Sequence, residues 1–145
     1  MAAILFDASV YITALRMEDD PALSVRRIVA DATIWLSSVV LAELYAGTSG
    51  RDRHRLERLE RNFGSAKRVV VPNLTDWTQT GKVLARLAVK YGYEQIAKGR
   101  LTNDALIALS AGRLGITVVT ANARDFAKLA EFHYFQWRLS DPRAN

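Results

Sequence analysis

A chain of 145 residues, half of them hydrophobic and with mean hydropathy near zero, has the size and composition of one packed domain, which excludes a disordered chain and two independent cores. The absence of cysteine excludes disulfides and thiolate metal sites, and no apolar run approaches the roughly 20 residues of a membrane span, so a cytoplasmic protein is expected. Twenty Lys and Arg against fifteen Asp and Glu give a net charge of +5 and a pI near 9.8, a balance that attracts polyanions without identifying one.

Ala2 to Phe6 is a short apolar run ending in Asp7-Ala8-Ser9, which predicts a buried strand feeding a helix from about Ser9 to Met17. Pro21 opens a second helix through about Ala30, and Thr33 to Leu36 is the next strand. Ser37-Ser38 caps a helix that carries Glu43 and stops at Gly47. Leu56, Leu59 and Phe63 recur at helical spacing within the charged stretch Arg51 to Phe63, which predicts an exposed amphipathic helix ended by Gly64. Asp52, Glu57 and Glu60 lie among its arginines, so its charges are expected to form a salt-bridged solvent face.

Val69-Val70-Val71 before Pro72 reads as a third strand, and Leu74 to Tyr91, closed by Gly92, as a long helix. Leu101 to Leu114 is apolar almost all round and predicts a buried helix. Ile116 to Thr120 is a fourth strand, Asn122 to Ala130 a short helix, and His133 to Trp137 an edge strand before a polar tail at 141–145. Strands alternating with helices predict an α/β fold: one domain over 1–140, with a short parallel sheet of four to five strands covered by helices on both faces. In such sheets ligands gather at the carboxyl ends of the strands.

Asp7 follows the first strand and Asp125 lies just beyond the fourth, so both belong near that edge. Glu43 shares a helical stripe with Val39, Val40, Ala46 and Gly47, where an unpaired carboxylate needs a cation, a proton or a wet cavity. Asp104 opens the most apolar helix. Taken singly, Asp7 has an ordinary use as a helix cap, Asp104 and Asp125 as first-turn carboxylates favoured by the helix dipole, and Glu43 as a partner for a distant Arg. Together they are candidates for one pocket holding Mg²⁺ or Mn²⁺, hard cations that prefer oxygen ligands and acidify a bound water. No Gly-x-Ser-x-Gly elbow or Gly-rich phosphate loop is present, and His54 and His133 are isolated, so zinc and nucleophilic serine chemistry are not expected.

Four stretches resemble the PIN-domain ribonucleases, in particular the VapC-like toxins of type II toxin–antitoxin modules. They are Leu5-Phe6-Asp7-Ala8-Ser9, Ser38-Val39-Val40-Leu41-Ala42-Glu43-Leu44-Tyr45-Ala46-Gly47, Asn103-Asp104-Ala105-Leu106-Ile107-Ala108, and Thr120-Ala121-Asn122-Ala123-Arg124-Asp125-Phe126. The resemblance implies that Asp7, Glu43, Asp104 and Asp125 bind Mg²⁺ or Mn²⁺ and hydrolyse RNA through a metal-activated water, with Ser9, Thr120 and Asn122 orienting carboxylates or water. Ala8 departs from the Thr frequent at that position. The family likeness also implies a homodimer silenced by a cognate antitoxin.

Lys98, Arg100 and Arg124 neighbour the acids and are candidates for contacts to RNA phosphates, with solvated surface charge as the ordinary alternative. Leu44, Tyr45, Trp77, Phe132, Tyr134, Phe135 and Trp137 are mostly core candidates, with a subset able to line a subunit or antitoxin groove, and sequence does not sort them. The competing reading is a basic module that binds RNA or protein without catalysis; intact acids in all four motifs argue against it. A phosphotransferase using Asp7 as nucleophile needs a second Asp two residues on, where Ser9 stands.

Overall fold

A computed structural model of the chain describes residues 2–97 and 100–140. It begins with β1 (Ala2–Phe6), α1 (Ala8–Arg16) and α2 (Pro21–Ile28), whose N-cap Asp20 accepts from the amides of Ala22 and Leu23. β2 (Ala32–Ser37) runs directly into α3 (Ser38–Gly47), because the Ser37 hydroxyl accepts from Val39 and Val40 and so satisfies amides that the strand no longer pairs. A 3-10 turn at Gly50–Asp52 leads to α4 (Arg53–Ser65), so Gly64 lies inside the last turn instead of ending the helix.

β3 (Val69–Val70) is followed by α5 (Leu74–Tyr91), which closes at Gly92 with φ of 96°, a conformation that favours glycine. The four-residue α6 (Glu94–Ala97) has no sequence signal strong enough to predict it. α7 (Leu101–Arg113) is buried along most of its length, as its apolar composition requires. β4 (Thr117–Thr120), α8 (Ala123–Ala130) and β5 (Trp137–Leu139) complete the described chain. The expected polar tail at 141–145 lies outside the described residues. Among the described residues no helix is long and apolar enough to cross a membrane.

The strands form one five-stranded sheet in the order β3-β2-β1-β4-β5, every neighbouring pair parallel. Leu5, Phe6, Ile34, Leu36, Val118 and Val119 fill its centre, packed under Leu44, Leu87, Ile107 and Phe126. From β1 the chain proceeds outward through β2 to β3, then returns to the other side of β1 as β4. The strand order therefore reverses between β1 and β4, where connections leave in opposite directions and open a crevice at the carboxyl edge.

The final strand begins later than expected. The stretch 133–136 is an extended connection that drops Phe135 onto Phe126, with ring centroids 6.4 Å apart, before Trp137 pairs with Val118. Of the large apolar candidates that sequence left unsorted, two are on the surface: Trp77 is 54% and Tyr134 80% exposed. Leu44 and Phe135 are buried, and Tyr45, Phe132 and Trp137 are half-buried. The charges of the 3-10 turn and α4 are paired with other elements as well as with each other. Arg51 reaches Glu18, Arg58 reaches Asp20 and Arg55 reaches Asp52, while Glu60 accepts from the Tyr45 hydroxyl.

α5 and α7 are locked by a buried acid. Asp76 is 3% exposed, closes a capping box with Asn73, and accepts three hydrogen bonds of 3.0–3.1 Å from Arg113. Asp76→Ala should therefore cost about 3 kcal/mol, because it strands both a cap amide and a guanidinium. Denaturant midpoints would measure this, and a loss below about 0.5 kcal/mol, half of a typical net hydrogen bond, would mean that Asp76 does not lock the two helices.

Candidate active site

Register puts the first acid in its setting. Phe6 pairs with Val119, so the next residues, Asp7 and Thr120, come side by side at the reversal point of the sheet. Asp7 occupies the N-cap position of α1, yet its side chain makes no cap hydrogen bond. It is held instead by two hydroxyls: Ser9 Oγ donates to Oδ1 at 2.5 Å and Thr120 Oγ1 donates to Oδ2 at 2.6 Å. Each hydroxyl is oriented in turn by a backbone amide of the loop after β4, Ala121 N–H donating to Ser9 and Asn122 N–H to Thr120. The first-turn amides of Ser9 and Val10 also favour its charged form, so the hydroxyls add to a capping setting.

The other acids arrive from three helices. α3 packs against both α1 and α7, and α7 against α8, which turns Glu43, Asp104 and Asp125 toward the same opening. Asp125 lies in the first turn of α8, whose N-cap Asn122 accepts from the Arg124 amide. Asp7, Glu43, Asp104 and Asp125 all line one cavity of about 690 Å³.

Their electrostatics are those of a crowded cluster. Burial is the largest cause raising the Asp7 carboxyl above its ordinary range, with the Ser9 and Thr120 hydroxyls opposing it. Burial and then the charge of Asp7 raise Glu43, against the Asn103 side chain and Arg100. Asp104 is pushed up to about 8 by burial and by the charges of Asp7, Glu43 and Asp125, with Arg100 pulling the other way. Carboxylates that resist ionising together are the environment a cation stabilises.

The donor set of carboxylates without histidine or cysteine suits Mg²⁺ or Mn²⁺. Among the described residues no three acidic or histidine side chains stand close enough to enclose an ion as they are disposed; the acids line the walls of a shared opening. That open arrangement fits Mg²⁺, which keeps several waters and takes only a few carboxylates.

A comparison with protein-family models matches the PIN domain over residues 4–132. The chain belongs to the PIN-domain family. Solved structures of similar fold include DNA-bound VapBC from Salmonella typhimurium, at TM-score 0.68 and 22% identity over 97% of this chain and 100% of that one. VapBC2 from Rickettsia felis, bound to a fragment of its promoter DNA, has TM-score 0.59 and 21% identity over 96% and 99% of the two chains. FitAB bound to the IR36 DNA fragment has TM-score 0.56 and 17% identity over 94% of each. At these identities the likeness is one of fold. No curated protein sequence matches significantly.

Within this PIN domain, Arg100 lines the acidic cavity, Arg124 is exposed and does not line it, and Lys98 lies outside the described residues. His54 is exposed on α4 and His133 sits in the connection to β5, and neither lines the cavity. The cavity also includes Arg16, Asn103 and Asp52, to which sequence reasoning gave no site role. Asn103 adjoins Asp104 in a family-like motif and was legible there; Arg16 and Asp52 carry no sequence signal.

Proposed function

We propose that this PIN domain is a Mg²⁺- or Mn²⁺-dependent endoribonuclease and the toxin of a toxin–antitoxin pair. The observation that carries the reading is the opening of all four carboxylates, from four separate elements, into one cavity at the reversal point of the sheet. Asp7, Glu43, Asp104 and Asp125 would hold the ion, which when bound supplies an acidified water and positive charge at the phosphodiester. Asp7 presents both its oxygens in a fixed orientation, because Ser9 and Thr120 donate to one each. Burial and the neighbouring acids favour the protonated form of Asp104, which would have to give up that proton to hold the ion. Arg100, at the rim beside Glu43 and Asp104, is suited to a substrate phosphate.

The toxin assignment draws on the family and on the likeness in fold to VapBC chains. It carries with it a cytoplasmic homodimer, neutralised by an antitoxin, acting on RNA. The test is cleavage of RNA by the purified chain in Mg²⁺ or Mn²⁺ and its suppression by chelator. RNA left intact under both metals would refute the enzyme reading.

The hydroxyl clamp provides a second measurement. Thr120→Val keeps the shape of a fully buried side chain and removes the donor to Asp7, so divalent affinity should fall about 10- to 100-fold. Mn²⁺ titration calorimetry would show it, and an unchanged dissociation constant would remove Thr120 from the site.

A further inference from the structure

The cavity that holds the acids extends well past them. One wall continues along α1 through Ile12 to Arg16 in its last turn, and the other is the Gly47-Thr48-Ser49 turn after α3. Ala8 and Arg16 are separated by eight residues of helix, about 12 Å at a rise of 1.5 Å each. Side chains on a helix lean toward its N-terminus, so a long residue at the end of α1 reaches back over the groove.

Arg16 differs from the arginines near it. Arg51 and Arg58 are engaged by Glu18 and Asp20 on the link between α1 and α2, and Asp52, on the opposite wall, is paired with Arg55. Among the described residues Arg16 has no ion-pair or hydrogen-bond partner, and it is exposed. A guanidinium lining a groove without a partner offers a planar pair of donors that matches phosphate. The groove is thus acidic in its middle and basic at Arg16 and at Arg100.

Resting on the RNA reading above, we infer that Arg16 binds a backbone phosphate of the RNA other than the one that is cleaved, so that the strand runs along α1 from the acids to the end of that helix. The placement points to a different phosphate, since Arg16 stands in the last turn of α1 and Asp7 at its N-cap, at opposite ends of a helix about 12 Å long. A cation at a helix C-terminus also stabilises the helix dipole. That role alone affects stability and leaves RNA affinity untouched.

The test is binding of a short labelled oligouridylate to the full chain in Ca²⁺, which takes oxygen ligands, with the RNA checked for integrity afterwards. Affinity is followed between about 50 and 200 mM salt. Arg16→Ala should bind more weakly and flatten the slope of log K against log salt by about 0.7, the value for one phosphate contact on a single strand. Arg16→Lys should retain the native slope. Thermal melting of each variant separates a binding loss from unfolding, and Arg16→Gln replaces Arg16→Ala if the latter unfolds. Unchanged affinity and slope in a folded variant overturn the inference while leaving the ribonuclease reading intact. A native chain that neither binds nor cuts RNA overturns both.

Discussion

Asp7→Asn will lower metal-dependent RNA cleavage by on the order of 10³-fold, about 4 kcal/mol of transition-state stabilisation, and will leave the protein at least as stable as the native chain. The two halves of this expectation share one cause. Asp7 is buried against hydroxyls that steer its oxygens into the cavity, and burial already disfavours its charge. The amide keeps the shape, and Ser9 can turn to accept where it now donates. What disappears is the negative charge that a divalent ion needs and the fold does not. Single-turnover cleavage and thermal melting should be measured on the same preparations. Retained cleavage, or lost activity together with a lowered melting temperature, would assign Asp7 to structure instead.

Metal-free protein will lose a few kcal/mol of stability as the pH rises from about 4 to beyond 8. The sign follows from Asp104, raised from 3.8 to about 8 in the folded chain by burial and by Asp7, Glu43 and Asp125. Between those values the folded state holds a proton that the unfolded state has released, so each step up in pH favours unfolding. The penalty is absent below the unfolded value and complete above the folded one. Asp7 and Glu43 are raised too and add in the same direction. Asp104→Asn should flatten the profile, and Mg²⁺ should stabilise the native chain more at pH 8 than at pH 5. Denaturant midpoints across pH, with chelator and with metal, test this; identical profiles for native and Asp104→Asn protein would defeat it.

Much of this site could be read before any coordinates because three of the acids are tied to features with strong local signals. Asp7 ends an apolar strand, and Asp104 and Asp125 lie in first helical turns, so knowing the element fixes the edge of the sheet they occupy. Glu43 was visible through its apolar neighbours, and Ser37 through its cap. Ser9 and Thr120 entered through family likeness alone, since their hydrogen bonds to Asp7 depend on pairing between β1 and β4.

What stayed hidden depends on tertiary placement. Arg16 reads as an ordinary helix-end cation, and only the course of α1 along the cavity gives it a different surrounding. Trp77 and Tyr134 are large and aromatic, yet nothing in their local pattern says that the faces they occupy remain uncovered. The aromatic stretch His133 to Trp137 has strand-like composition, but the packing of Phe135 on Phe126 delays pairing until Trp137. α6 is too short to have a period.

The hydrogen bond from Thr120 to Asp7 spans 113 positions of sequence. During synthesis the first acid leaves the ribosome long before the threonine that orients it, and β4, which carries that threonine, pairs with β1 on the side opposite β2. Such non-local pairing forms late and slowly. Chains interrupted before β4 cannot build the clamp, so the oriented Asp7 carboxylate would appear only near the end of translation, and partly made copies would lack it.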